Sequence, residues 1–163
     1  MIFLTVGTIL PFDRLTRAVD DWAVAHGRDD VFGQIGDLGP GTYRPRGFPW
    51  QERLTPVEFR ARIEEARVIV AHAGIGSILD ALTRSKPIVI MARRHAFREH
   101  VNDHQLQTVR RFADRSGVEV VDEPGDLGAA MTTALSGGPS RALGPDAEES
   151  LIRAVRDAIH GRN

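Results

Sequence analysis

The sequence predicts a doubly wound α/β domain on a mostly parallel sheet of about six strands. Three observations carry this. The apolar runs at 2–6, 68–71 and 87–91 are continuous, without the polar alternation of a half-exposed sheet, which is the pattern of strands covered on both faces. Segments with apolar residues three to four apart separate the runs, so helices join the strands. Glycines follow the strand ends at Gly7 and Gly74, where a chain turns from strand into helix.

The elements follow in order. Residues 2–6 form the first strand, stopped by Gly7. Pro11 and Asp13 open a helix to about residue 25, with Leu15, Val19 and Trp22 on one face. Residues 31–35 are a second strand. Residues 36–47, rich in Gly and Pro, form a loop, and 47–51 a short strand. Thr55-Pro56-Val57-Glu58 starts the next helix as a capping box, with Thr55 at the N-cap, Pro56 first and Glu58 third. A strand at 68–71, a helix at 76–84 and a strand at 87–91 come next. A polar loop spans 92–101, then a helix 102–115, a strand 118–121 and a helix 126–135. Gly137-Gly138-Pro139 breaks that helix. A last amphipathic helix is expected at 146–160, with Leu151, Ile152, Val155 and Ile159 on one face.

The 163 residues make one domain, with a core at 1–135, and are too few for two. A formal net charge of −1 gives no basic field for nucleic acid as the main partner. Lys86 is the sole lysine among 21 cationic residues, a bias of composition rather than function. The absence of Cys excludes disulfides, thiolate metal sites and a cysteine nucleophile. No run reaches the roughly 18 apolar residues of a membrane span. The N-terminus enters a strand without a basic leader, so a soluble cytoplasmic protein is expected.

In doubly wound sheets ligands bind beyond the carboxyl ends of the strands, so the chemistry is sought in the loops after residues 6, 35, 71, 91 and 121. Gly7-Thr8 offers close backbone approach, a hydroxyl and an N–H to a phosphate; by itself it is equally a plain turn. Residues 72–80 say more. Gly74 and Gly76 clear side chains from a helix N-terminus that would face an anion, with Ser77 at the helix start. His72 is placed to donate to a diphosphate oxygen, and Asp80 to accept from ribose hydroxyls. The competing reading is structural: Ser77 and Asp80 form a capping box, and His72 is a core histidine.

Glu99, His100, Asn102, Asp103, His104 and Gln105 cluster after the next strand and suit polyhydroxyl recognition, or a helix start rich in cap residues. His100 and His104, four apart, also have the spacing of metal ligands, but His100 is expected before the helix, so no metal site is assigned. Arg93, Arg94 and Arg98 suit a diphosphate, an anionic membrane surface or a solvated loop. Arg14, Arg17, Arg60 and Arg62 are read as surface. There is no Walker-type Gly-Lys-Ser/Thr and no Gly-x-Gly-x-x-Gly after the first strand, which argues against an NTPase and a dinucleotide dehydrogenase.

Three segments stand together: Thr5-Val6-Gly7-Thr8 with Pro11-Phe12-Asp13-Arg14-Leu15, then Val70-Ala71-His72-Ala73-Gly74-Ile75-Gly76-Ser77, then Asn102-Asp103-His104-Gln105. In this order and spacing they resemble the C-terminal, donor-binding domain of family 28 glycosyltransferases. The likeness covers about residues 1–135. It is closer to free-standing members, the donor-binding subunits of dolichol-pathway and bacterial exopolysaccharide transferases. The resemblance implies one Rossmann-like, GT-B C-terminal-type lobe that binds a UDP-sugar. Gly7 and Thr8 would lie near the diphosphate, and His72, Gly74, Gly76 and Ser77 would form the phosphate loop. Asp80 would stand where the family usually has a ribose-binding Glu. Asp103 and Gln105 would meet the donor sugar.

The resemblance also implies an incomplete enzyme, because a GT-B site needs two lobes. A membrane-anchored partner subunit would bring the acceptor lobe, and this chain would sit at the inner membrane face through it. The final helix would dock there. The implied reaction is inverting transfer of a hexosyl group to a polyprenyl-linked or polysaccharide acceptor. His72 would stabilise the leaving diphosphate, with no cofactor or metal. The alternatives are a non-catalytic UDP-sugar-binding regulatory module and, less well supported for one lobe, a UDP-sugar epimerase.

Overall fold

The computed structural model describes residues 1–137. The predicted helix at 146–160 lies outside the described residues. Among the described residues, six strands and five α-helices occur in the order β1 (Ile2–Thr5), α1 (Asp13–Ala25), β2 (Val31–Gln34), β3 (Trp50–Gln51), α2 (Pro56–Glu65), β4 (Val68–His72), α3 (Ile75–Thr83), β5 (Ile88–Met91), α4 (His104–Phe112), β6 (Val118–Val121) and α5 (Leu127–Ser136). Short 3₁₀ turns precede α4 and α5, at His95–Phe97 and Pro124–Asp126.

All strands are parallel, in the order β3-β2-β1-β4-β5-β6. β1 and β4 are neighbours, with Ile2 opposite Val68 and Thr5 opposite Ala71. From β1 the chain winds outward through β2 to β3; from β4 it winds the other way. The connections therefore diverge at β1 and β4, and a crevice opens beyond their carboxyl ends.

Side-chain alternation divides the core between two faces. Ile2, Leu4, Val68, Val70, Val89 and Met91 pack under α1 and α5 with Leu15, Val19 and Met131. Phe3, Ile69, Ala71, Ile88 and Ile90 pack under α2, α3 and α4 with Ile63, Ile78, Leu82 and Phe112. The strands are buried on both sides, which is why they read as unbroken apolar runs. On α1, Leu15 and Val19 are buried and Trp22 packs at the edge of the same core. The Thr55–Glu58 capping box forms as expected, with Glu58 N–H donating to Thr55 Oγ1 at 3.3 Å and Thr55 N–H to Glu58 Oε2 at 2.8 Å.

Several bounds move. The short strand is only Trp50–Gln51. The helix expected over 102–115 is nine residues, His104–Phe112, because Asn102 and Asp103 remain in the turn before it. The 36–49 loop is pinned to α1. Asp20, 4% exposed, accepts from Tyr43 Oη at 2.6 Å, Arg46 N at 3.0 Å and Gly47 N at 2.7 Å. The same bond from Tyr43, with burial, lifts its phenol to about 12.

Candidate functional site

The crevice between β1 and β4 brings the first two predicted segments together. Gly7 follows β1 at φ +88°, a backbone conformation that favours glycine. His72 ends β4, and its imidazole lies between Gly7 and Gly74. A Cβ added at Gly7 would stand 3.3 Å from His72 Cε1, and one at Gly74 would stand 2.9 Å from the same atom and collide with Nε2. Both glycines therefore make room for the ring. Thr8 is exposed beside it. Gly7, Thr8, His72, Arg93, His100 and Gln105 line a groove of about 300 Å³. Gly7 and Thr8 also line an adjoining groove of about 590 Å³ with Thr5, Gln34, Ser77 and Asp80.

Helix α3 begins at this crevice. Gly74 is its N-cap, and no side chain caps it. The first-turn N–H groups consequently lack an internal acceptor and present partial positive charge. Ser77 is the third residue of α3, inside the helix, so the capping box considered for Ser77 and Asp80 does not form. Gly76 is exposed, with open space around it. Asp80 sits one turn on, 43% exposed, and its carboxylate accepts from Arg84 Nη1 at 2.9 Å. Arg84 also holds Glu64 at 2.9 Å, which steadies the acid beside the groove.

His72 is half-buried. Burial first, and the Arg93 guanidinium second, hold its imidazole down at about 4. It is therefore neutral near pH 7 and has one N–H to donate. Its Nδ1 is buried and makes no close hydrogen bond among the described residues, although the Thr5 main chain acts on the ring against those two causes. Nε2, the ring nitrogen on the Gly7 and Gly74 side, is the one left to an anion at the uncapped helix N-terminus, as a donor in the tautomer that carries the proton there.

Sequence reasoning placed other residues less well. Arg93, weighed for a diphosphate, a membrane surface or a solvated loop, is 3% exposed. Its Nη2 donates to Val6 O at 2.8 Å and Leu10 O at 2.6 Å, and its Nη1 to Pro11 O at 2.6 Å and Glu99 O at 3.4 Å. Arg14, read as surface, has a side chain only 14% exposed. It forms a two-armed pair with Glu99, both contacts 2.9 Å, and donates to Ala92 O at 2.8 Å. Glu99 is thereby committed to Arg14 and to Arg94 N at 2.9 Å, away from any polyhydroxyl ligand.

Gln34 was missed. It is 1% exposed, donates from Nε2 to Gly7 O at 3.2 Å and accepts from Leu54 N at 3.0 Å. A Gln at the end of an apolar strand was the available signal. Gln105 is buried, and its Oε1 accepts from Arg93 N at 3.0 Å, while the residue still lines the groove. Asp103 is exposed in the turn before α4 and accepts from His95 N at 2.8 Å; it lies outside the two grooves that Gly7 and Thr8 share. The structure thus joins Gly7, Thr8, His72 and Gln105 along one groove, and Ser77 and Asp80 along the other.

The His100 and His104 rings meet edge to face, with centroids 4.5 Å apart, although His100 precedes the helix. His104 Nδ1 is engaged by Asn102 Oδ1. Among the described residues no group of three or more His, Asp or Glu is arranged to hold a metal ion.

The chain is similar to known proteins. The UDP-N-acetylglucosamine transferase subunit ALG13 of Mus musculus is 27% identical over 121 residues, 68% of this chain and 10% of that protein. The chain thus spans about a tenth of this curated relative's length. An NMR solution structure of ALG13 superposes with a TM-score of 0.62 at 16% identity, over 95% of this chain and 96% of that one. The crystal structure of the glycotransferase of kitacinnamycin superposes with a TM-score of 0.59 at 20% identity, over 98% of this chain but 39% of that one. At these identities the superpositions speak for the fold. The family model described as "Glycosyltransferase family 28 C-terminal domain" matches residues 1–160, almost the whole sequence, and on that match the chain belongs to this family.

Proposed function

We propose that this chain binds a UDP-sugar and forms the donor side of a two-component, inverting glycosyltransferase. One observation carries the reading: the Gly7-Thr8 turn, the neutral His72 and the uncapped start of α3 converge on the crevice between β1 and β4. The family membership and the similarity to a subunit named UDP-N-acetylglucosamine transferase support it.

In this reading the diphosphate lies over the α3 N-terminus, with the His72 N–H and the Thr8 hydroxyl on its oxygens. Gly74, Gly76 and Ser77 supply backbone to it. Asp80 accepts from the ribose. Asp103 and Gln105 face the donor sugar, Gln105 through the amide nitrogen that its bond to Arg93 leaves over. An acceptor hydroxyl attacks the anomeric carbon from the far side. The bond from that carbon to the diphosphate oxygen breaks, and UDP leaves with the electron pair. His72 and the helix N-terminus hold the charge that develops on the leaving group. A general base takes the acceptor proton, and a partner subunit brings the acceptor lobe, the membrane anchor and a polyprenyl-linked or polysaccharide acceptor. No helix among the described residues is long and apolar enough to cross a membrane.

Titration with UDP tests the donor half. Asp80→Ala is expected to weaken uridine nucleotides about tenfold with an unchanged melting temperature. Reconstitution with the product of the adjacent open reading frame and a lipid-linked acceptor tests the rest, and turnover is expected only with both chains. Absence of UDP binding refutes the proposal. Binding without turnover under any partner makes the chain a regulatory module.

A further inference from the structure

Arg93 is a buried cation without a carboxylate bound to it. Its four carbonyl partners use all the Nη hydrogens, and the ring of Phe12 lies 4.6 Å from its guanidinium carbon. The carboxylate of Glu99 is taken by Arg14. The trio Arg14, Glu99 and Arg93 therefore keeps one net positive charge beyond the carboxyl ends of β1 and β5. A guanidinium held this deeply without its own counter-ion is costly, and carbonyl dipoles offset only part of that cost. The three carbonyls of Val6, Leu10 and Pro11 bracket the stretch that carries Gly7 and Thr8. The main chain of Arg93 is in turn fixed by Gln105. Arg93 also lines the same groove as Gly7, Thr8 and His72.

We propose that Arg93 is the positioning residue of the donor site: its fork holds the 6–11 loop in place over His72, and its unpaired charge is completed by the diphosphate of the bound ligand. The inference rests on the UDP-sugar reading above and deepens it. Arg93 does not touch the ligand through Nη. It acts through the loop and through its charge behind the groove wall. Lys cannot replace it, because a single ammonium cannot span carbonyls on both sides of the loop while keeping the planar fork.

The experiment compares the full chain with Arg93→Lys and Arg93→Met, titrating UDP and uridine into each. Arg93→Met removes charge and fork, so the preference for UDP over uridine is expected to fall roughly tenfold. Arg93→Lys keeps the charge, so that preference stays within about threefold of wild type. The same Lys variant loses the fork, so the backbone order parameters of residues 7–10 are expected to fall toward those of a flexible loop, below about 0.6, with β4 and β5 unchanged. Should Arg93→Met fail to fold, the Lys variant still decides: unchanged loop order parameters overturn the positioning role, and a lost UDP preference with the charge retained overturns the electrostatic one. If Arg93→Met binds UDP as wild type does while Asp80→Ala loses it, the inference fails and the donor reading stands. If wild type binds neither UDP nor uridine, the donor reading fails and takes this inference with it.

Discussion

Acidification has a defined cost at His72. The imidazole titrates at 6.5 when exposed and at about 4 in the folded chain. Between those values the unfolded chain binds one more proton than the native one, so unfolding becomes easier as pH falls from 6.5 toward 4 and the effect levels off below that. At 1.36 kcal/mol per unit, the whole window amounts to at most about 3–4 kcal/mol. Part of the ring is within reach of solvent, which trims this. Urea unfolding at about pH 7 and about pH 4.5 measures the loss, and His72→Asn measured alongside subtracts every other titrating group. Wild type is expected to lose about 2 kcal/mol more than His72→Asn across that interval. Saturating UDP is expected to shrink the difference, because a diphosphate beside the ring favours its protonated form. Parallel losses in the two proteins would refute the assignment of a desolvated, neutral imidazole.

Two further outcomes test the packing around the site. Gly74 adopts φ −88° and ψ 133°, which any residue tolerates, so Gly74→Ala acts only by driving Cβ into the His72 ring. The expected loss is about 1–3 kcal/mol in urea unfolding, largely recovered when His72→Ala is added; a neutral single variant would show that the ring has room to move. Asp20→Ala strips the partners from Tyr43 Oη, Arg46 N and Gly47 N, and is expected to cost roughly 2–3 kcal/mol; a loss below about 0.5 kcal/mol would mean that water replaces the carboxylate.

The signals legible along the chain were local ones. The apolar runs announced strands because burial on both faces leaves no polar alternation, and both faces are indeed filled. The capping box at Thr55 was legible because all its atoms lie within three residues. The Ser77–Asp80 pattern has the same spacing, but the capping box it offered as the competing reading does not form. His72 leaves β4 and Gly74 already caps α3, so Ser77 falls inside the helix. The helix-start alternative could not be separated from the phosphate-loop reading until the strand end was placed. The 36–47 loop was visible as an excursion from its Gly and Pro, but nothing nearby revealed that Asp20, on a helix already passed, would hold it.

Local periodicity, glycine placement and capping chemistry act over a few residues, and they settled the parallel α/β class, the strand and helix sequence, and the turns at Gly7 and Gly74. The charges around the crevice act across the fold. Arg93 reaches Pro11 across 82 residues and Val6 across 87, and Arg14 reaches Glu99 across 85. Those distances collapse only because β1, β4 and β5 lie side by side in the sheet. No window of sequence holds both partners, so a loop arginine became a buried one and a surface arginine a half-buried one, and the neutral state of His72 followed from burial that the assembled sheet alone creates and from Arg93.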